Sequence, residues 1–392
     1  MWEVTRPRIL TRDLRLLLAG FFAIFVNTTL LVPVLPAVVA RTGGSSGAGL
    51  VTACFYFPAV ATQLRMPQVM RRHSARRLLI IAFLLLGLPC FAYLAGEQDI
   101  VVVLAATAVR GVGFGIATVV SGTLIAALAP TARRGTVLGY SGLAAGIPPV
   151  FAPAAGVYLL HTSGAGVTFV AAGVVGITAA LISSRLRVER GTPRPRPPGL
   201  LRALVAPAYA WPFSWFLLIS LSRGAAISFV PLRLFGSGLA SASSFLLCFG
   251  TLAYIVRYFG GRLTDRVGPR TLVIPGALFS LAGLVLLASG TGPGPLIVAS
   301  GVLFGTGYGL LATTSQMDMI SRAGPEGFAV PTTLWNIAID CGVGLGGVLL
   351  GVVATVSNYT TAFWVLPGVI GAALALILLE PKPAPREGSP RY

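Results

Sequence analysis

The sequence predicts an all-α integral membrane protein with twelve transmembrane helices in two pseudo-symmetric six-helix bundles. Three observations support this prediction: 55% of the 392 residues are hydrophobic, only 10% are charged, and the mean hydropathy is +0.85. A soluble domain carries about 25% charged residues, so the composition excludes a soluble multidomain enzyme and a disordered chain. The apolar residues also fall into runs of about 20, the length that crosses a hydrocarbon core.

Twelve apolar runs are candidate membrane-crossing helices, numbered here as spans 1 to 12. They cover roughly residues 14–38, 48–66, 76–95, 100–128, 136–160, 166–185, 211–235, 242–260, 270–290, 295–320, 328–354 and 360–379. No small-residue cleavage site follows the first run, so we expect it to stay as a helix rather than be removed as a signal peptide. The sequence contains no nucleotide-binding, metal-binding or catalytic-triad motif, and we expect no cofactor, no metal and no enzymatic activity.

The basic residues are distributed unevenly along the chain. There are 29 Lys and Arg against 11 Asp and Glu, and Lys382 is the single lysine, a composition typical of GC-rich bacterial genomes. With an inside N-terminus, 25 of the 29 basic residues lie at one face, Arg41 and Arg233 lie at the other, and Arg110 and Arg223 lie within spans. The positive-inside rule then predicts a bacterial cytoplasmic membrane protein with both termini in the cytoplasm. The positive charge marks a membrane face and not a nucleic-acid partner.

The chain is predicted to consist of two related halves. Residues 186–210 are rich in proline and arginine and would form a cytoplasmic linker between residues 1–185 and 211–392. The run Arg110–Gly115 in span 4 matches Phe304–Gly309 in span 10, 194 residues further along. Pro36 matches Pro231 at an offset of 195. Duplicated halves around a central site are the usual plan of secondary transporters.

The segment between spans 8 and 9 carries Gly261, Asp265, Arg266, Gly268 and Arg270. These residues and their spacing resemble the signature loop of the major facilitator superfamily. The resemblance implies the major facilitator fold and a cytoplasmic gate in which the carboxylate of Asp265 takes part. The corresponding first-half loop has Arg71 where the family carries aspartate, so we expect the second-half loop to provide the gate.

Two further segments resemble family motifs. Arg110, which opens the Arg-Gly-x-Gly-x-Gly run of span 4, resembles the arginine that exporters of this family use in proton transfer. An arginine that lies near the outer headgroups is the alternative interpretation. Span 5 resembles the helix that marks the antiporter branch, although Ala152 and Val157 replace glycines of that motif. Its small and bending residues are Gly146, Pro149, Pro153 and Gly156. Ordinary helix packing is the alternative interpretation of span 5.

Span 11 carries the acidic residue Asp340 inside an apolar segment. A carboxylate there is a candidate proton carrier, and the alternatives are a permanent ion pair or a position near the inner headgroups. Arg223 in span 7 is a cavity residue or a partner in a helix-packing ion pair. Further candidates for the substrate cavity are polar or aromatic residues on spans that form the cavity in this family: Asn27, Thr28, Tyr56, Phe114, Trp335 and Asn336.

These features together predict a proton-coupled transporter that exports a drug-like compound or a secreted small metabolite by alternating access. We expect it to act as a monomer in the lipid bilayer, with a small molecule and protons as its partners and antibiotic resistance as one biological role. Asp340 would be the main protonation site, and Arg110 would act as its modulator or relay. An importer of a sugar or organic acid is the alternative, followed by a transport-inactive membrane sensor.

Overall fold

A computed structural model describes residues 10–95, 99–128, 134–187, 203–234, 239–267, 269–289, 294–322 and 329–380. The regular structure within these ranges is helical, and eleven helices there are long and apolar enough to cross a membrane. A twelfth helix, Leu239–Val267, contains a shorter apolar stretch, Ser241–Arg257. The all-α membrane fold predicted from the sequence is confirmed. Most of the predicted linker, from 188 to 202, lies outside the described residues.

The spans agree with the predicted ones to within a few residues. Their bounds are Arg12–Ala40, Gly44–Met66, Ala75–Leu94, Ile100–Ile125, Tyr140–Thr162, Ala165–Ser184, Pro207–Arg233, Leu239–Val267, Arg270–Ser289, Gly294–Ser321, Val330–Val356 and Tyr359–Leu379. Several helices extend beyond these bounds, and the helices run Arg12–Leu31, Val34–Arg72, Ala75–Gly87, Pro89–Ala95, Ile100–Leu128, Arg134–Gly146, Pro148–Thr162, Ala165–Ser184, Pro207–Arg233, Leu239–Val267, Pro269–Ser289, Gly294–Ser321, Ala329–Val356, Tyr359–Phe363 and Val365–Leu379.

Prolines explain where three spans are interrupted. The helix of span 1 is interrupted next to Pro33, that of span 3 at Leu88 before Pro89, and that of span 5 at Ile147 before Pro148. A proline removes a backbone donor, so the helical hydrogen-bond pattern is interrupted at these positions although Leu88 and Ile147 keep helical backbone angles. The helix Val34–Arg72 is kinked at Gly44, where span 2 begins, and Gly44 has a φ of 62°, a conformation that glycine adopts without steric cost.

The two halves repeat the same helix contacts. A Cβ atom added to Gly111 or Gly115 of span 4 would meet the carbonyl oxygens of Phe55 and Ala59 in span 2. The residues 194 positions further along do the same, because Gly305 and Gly309 of span 10 face the carbonyls of Phe249 and Ala253 in span 8. Glycine allows this close backbone approach in membranes. The pseudo-symmetry predicted from glycine runs is therefore present in the packing.

Spans 2 and 11 form one contact between the halves, and spans 5 and 8 form another. We call the end where span 1 begins the arginine-rich end, and the other end the arginine-poor end. At the arginine-poor end Ser45 of span 2 and Thr355 of span 11 are hydrogen-bonded, with 2.8 Å between Oγ and Oγ1. A Cβ atom at Gly351 would lie 3.0 Å from the Cα of Gly49. The halves are thus tightly packed at the arginine-poor end.

Candidate functional site

A central cavity lies between the two halves and includes about 520 Å³ of empty space, part of it open to solvent. Seven spans contribute to its wall. Most lining residues are apolar or aromatic, and the described set is Thr29, Val32, Tyr56, Pro149, Pro153, Arg223, Gly224, Ile227, Leu246, Phe249, Ala253, Tyr254, Tyr308 and Val343. Arg223 is the one charged residue in this set. Apolar walls with a few polar groups are typical of sites for small organic ligands.

Arg223 faces the cavity without an ion-pair partner among the described residues. Its guanidinium carbon lies 5.2 Å from the centroid of the Tyr308 ring, a cation–π arrangement. Asp340 exerts an electrostatic effect on Arg223, but the two side chains form no salt bridge. An arginine within a membrane span costs at least about 2.5 kcal/mol. The cavity therefore holds a positive charge that no carboxylate of the described residues neutralises directly.

Asp340 lies in the contact between spans 2 and 11. Its side chain is 7% exposed, and Gln63 of span 2 donates a hydrogen bond from Nε2 to its Oδ2 at 2.8 Å. This bond joins the two halves of the molecule. Arg223 also acts electrostatically on Asp340. The charge of Asp340 acts in turn on Tyr56 and Cys341. A hydrogen bond to an ionised carboxylate is about twice as strong as a neutral one, so a proton on Asp340 would weaken the contact.

Arg110 is held entirely by residues of the first half. Its Nη2 donates to the Oδ1 of Asn27 at 2.8 Å, its Nη1 to the hydroxyl of Tyr93 at 3.3 Å, and its Nε to the carbonyl of Leu86 at 3.2 Å. The side chain of Arg110 is 1% exposed and also lies over the Phe55 ring. Arg110 borders a second, smaller cavity near spans 1, 2 and 4.

The structure does not bring Arg110 and Asp340 into one hydrogen-bond network. The polar partners of Arg110 lie in spans 1 and 3, whereas the described hydrogen-bond partner of Asp340 lies in span 2. Asn27 also binds within the first half, since its Nδ2 donates to the carbonyl of Ala172 at 2.7 Å. A relay from Arg110 to Asp340 has no direct path in this conformation.

The other predicted cavity residues are dispersed. Tyr56 lines both cavities and Thr28 lines the smaller one, whereas Phe114 contacts Phe55 and Tyr56 through its ring. Trp335 is buried against Phe216, with ring centroids 5.5 Å apart. Its indole nitrogen donates to Ser315 at 3.0 Å.

Asn336 is exposed and donates to the carbonyl of Thr332 at 3.0 Å. It lines neither of the two cavities.

Span 5 contributes directly to the contact between halves. Pro149 and Pro153 line the central cavity. A Cβ atom at Gly146 would lie 2.9 Å from the ring of Tyr254 in span 8, and one at Gly156 would meet the carbonyl of Leu30 in span 1. Gly146 therefore packs between halves and Gly156 packs within the first half.

The predicted gate motif begins inside a helix. Gly261, Asp265 and Arg266 belong to the last turns of the helix Leu239–Val267, while their side chains and the whole of Gly268 lie outside the described residues. Arg270 begins span 9 and lies 3.8 Å from Glu380. The structure thus places the backbone of Gly261, Asp265, Arg266 and Arg270, whereas the carboxylate of Asp265 lies outside the described residues.

A cluster of charges joins helix ends at the arginine-rich end. Arg322 binds the carboxylates of Asp318 and Glu380, and its Nη1 donates to the carbonyl of Ala208 at 3.0 Å. Burial disfavours the charge of Arg322, but these hydrogen bonds and carboxylates outweigh it and raise the pKa of the guanidinium. The cluster connects the ends of spans 7, 10 and 12.

Sequence reasoning missed Gln63 and Tyr254. An amide side chain inside an apolar span is a signal for a polar helix contact, so Gln63 was detectable as a candidate. Its partner was not, because 277 residues separate it from Asp340. Tyr254 carries no comparable signal, since most aromatic residues in membrane helices serve packing.

Comparisons with known proteins agree with this architecture. The solved structure of a bacterial homologue of the human lysosomal transporter Spinster, inward-facing and unoccupied, superposes with a TM-score of 0.78 at 15% identity. The superposition covers 95% of this chain and 98% of that one. A mutant of the nucleoside transporter NupG gives a TM-score of 0.75 at 12% identity, covering 94% of this chain and 99% of that one. No curated protein matches the sequence. The family model of the Major Facilitator Superfamily matches residues 17–338, and the chain belongs to this superfamily.

Proposed function

We propose that the protein is a secondary active transporter that exports a small organic compound in exchange for protons across a bacterial cytoplasmic membrane. The bond between Gln63 and Asp340 carries this proposal, because it places a carboxylate that acts electrostatically on the cavity residues Tyr56 and Arg223 directly in the contact between halves. Protonation of Asp340 would remove a charge-assisted bond between spans 2 and 11. A proton can therefore bias the separation of the two halves, as alternating access requires.

The architecture supports a single central binding site. The cavity is lined by both halves, and the proposed domains 1–185 and 211–392 would rock about it. At the arginine-poor end, which would face outside, the Ser45–Thr355 hydrogen bond and the Gly49–Gly351 contact hold the two halves together. Opening this end and closing the other would release the compound outward.

Proton flow in everted membrane vesicles tests the proposal. Energised vesicles acidify their lumen and quench acridine orange, and the probes added to the medium are ethidium, chloramphenicol and 9-anthroate. These represent a cationic, a neutral and an anionic organic compound. An antiporter moves its substrate inward and protons outward, so at least one probe should relieve the quenching. Relief by none of the three in wild-type vesicles contradicts proton-coupled export of such compounds.

Two variants tie the result to Asp340. Asp340→Asn should abolish the relief, because the amide cannot carry a transported proton. Asp99→Asn is the matched control, since Asp99 caps a helix at the arginine-poor end and accepts from the backbone of Val101 at 2.9 Å. Asparagine also caps helices well, so this variant should behave as wild type. Full proton-coupled activity of Asp340→Asn would overturn the proposal.

Proton-coupled import of an organic acid is the second candidate, and the proximity of Arg223 to Asp340 favours it. Protonation of Asp340 would leave the charge of Arg223 available to an anion. Proton and anion would then bind together and move in the same direction. Such an importer would give no relief of quenching in everted vesicles and would accumulate 9-anthroate in proteoliposomes placed in an acidic medium.

A further inference from the structure

Four hydrogen-bond donors around the central cavity have no acceptor within the described structure. The guanidinium of Arg223 forms no hydrogen bond to another described residue. The hydroxyls of Tyr56, Tyr254 and Tyr308 form none either, and all four side chains line the same cavity. None of their polar atoms is both fully buried and unpartnered. Arg223 also lies over the ring of Tyr308 at 5.2 Å.

The excess of donors indicates the chemistry of a ligand. A guanidinium presents a planar fork that matches a carboxylate in a bidentate geometry. Phenolic hydroxyls donate to the remaining lone pairs of the same group. The other walls, among them Val32, Pro149 and Phe249, offer flat or apolar surface to the rest of the molecule.

We propose that the central cavity binds an organic anion whose acidic group pairs with Arg223 and whose planar, apolar body lies against the aromatic wall. This inference rests on the proposed transport function in one respect, because it takes the central cavity as the substrate site. It does not depend on whether the compound is exported or imported. Asp340 is the negative group that acts on Arg223 in the described structure. The anion would supply the direct partner that Asp340 does not.

Equilibrium binding to the purified full-length protein in detergent tests the proposal. The probes are two aromatic acids, 2-naphthoate and 9-anthroate, each compared with its neutral amide at neutral pH, where the acids are ionised. Acid and amide have nearly the same shape, so the comparison isolates the charge. Each acid that binds should do so about tenfold or more tightly than its amide, as the loss of a charged hydrogen-bond pair predicts.

Three variants locate the preference. Arg223→Gln should abolish the difference between acid and amide, and Arg223→Lys should retain part of it because the charge remains without the planar fork. Arg233→Gln is the matched control: Arg233 also lies on span 7 over an aromatic ring, that of Phe363 at 4.9 Å, but outside the cavity. It should preserve the full preference. If Arg223→Gln does not fold, Arg223→Lys and the wild-type comparison still decide.

The proposal is overturned if neither acid binds, if wild type binds both acids no better than the amides, or if Arg223→Gln keeps the preference. Binding in micelles requires no proton gradient. A preserved acid preference together with absent proton flow in vesicles would therefore refute the proposed coupling and leave this inference standing. Proton-coupled export of the neutral or cationic probe alone, with no preference for the acids in binding, would support the proposed coupling and refute the inference of an anion site.

Discussion

Arg110 and Phe304 occupy equivalent positions in the two halves, and only the first of them places a charge there. Each side chain lies against the equivalent aromatic residue: Arg110 is 5.4 Å from the centroid of Phe55, and the ring of Phe304 is 5.0 Å from that of Phe249. The first half adds acceptors, among them the side-chain oxygen of Asn27. These acceptors allow a guanidinium to occupy a site that is apolar in the second half.

Arg110→Ala should destabilise the protein as well as impair transport. The truncation removes the described donor to the side-chain oxygen of Asn27 in a buried site, and an unsatisfied group of this kind costs about 1–3 kcal/mol. We expect a lower melting temperature in detergent. Arg110→Lys should restore only part of the lost melting temperature, because one ammonium cannot reach the acceptors that three guanidinium nitrogens bind.

The control for the Arg110→Ala melting experiment is Arg77, an exposed arginine at the start of span 3. Arg77→Ala should leave the melting temperature almost unchanged. If Arg110→Ala melts as wild type does, the hydrogen bonds of Arg110 do not stabilise the fold, and its role is restricted to transport.

The sequence allowed the depth of Arg110 to be predicted but not its partners. Its position in span 4 follows from counting residues along an apolar helix, which is local information. Asn27 and Tyr93 lie 83 and 17 residues away, and single-sequence patterns do not show which faces of three helices meet. The same limit hid the contact of Gln63 with Asp340. Local composition predicts where a polar group lies, and tertiary packing determines what it binds.

At the scale of helices, glycine and proline were the informative residues. The repeated glycines predicted the pseudo-symmetry because close backbone approach requires the absence of a side chain, a property visible in one sequence. The prolines mark the helix interruptions for a similar reason. Span 8 was predicted from residues 242–260, whereas its helix extends from Leu239 to Val267 and includes much of the gate motif. The ends of helices depend on packing and capping, so nearby sequence predicts them less well than it predicts the apolar part of a helix.

Gly351→Val should disrupt the contact between spans 2 and 11. A Cβ atom there would lie 2.7 Å from the carbonyl oxygen of Ser45, and overpacking of this kind costs about 1–3 kcal/mol. We expect a lower melting temperature and faster maleimide labelling of a cysteine placed at Thr52, which is buried nearby. Gly371→Val on span 12 is the matched control, because no described atom lies within 4 Å of its Cβ position. Equal effects of the two substitutions would contradict the importance of this contact.

At the scale of the whole molecule, the described conformation is tightly packed between halves at the arginine-poor end. Polar and glycine contacts between spans 2 and 11 extend from Ser45 and Thr355 to Gln63 and Asp340. Between Ser45 and Gln63 the helix rises by about 27 Å at 1.5 Å per residue. The contact therefore covers most of the membrane thickness, and a transport cycle must break it.

A disulfide between the two halves at the arginine-poor end should arrest that cycle. Ser45 and Thr355 have hydroxyl oxygens 2.8 Å apart, which makes them candidates for a cysteine pair. The double variant Ser45→Cys/Thr355→Cys would be built in a background where the four native free cysteines, Cys54, Cys90, Cys248 and Cys341, are replaced. Oxidation should reduce proton-coupled probe transport in vesicles to background, and a reductant should restore it. Each single cysteine variant should remain active under oxidation. If the crosslinked protein transports at the wild-type rate, the two halves do not need to separate at this end, and alternating access about the central cavity is wrong for this protein.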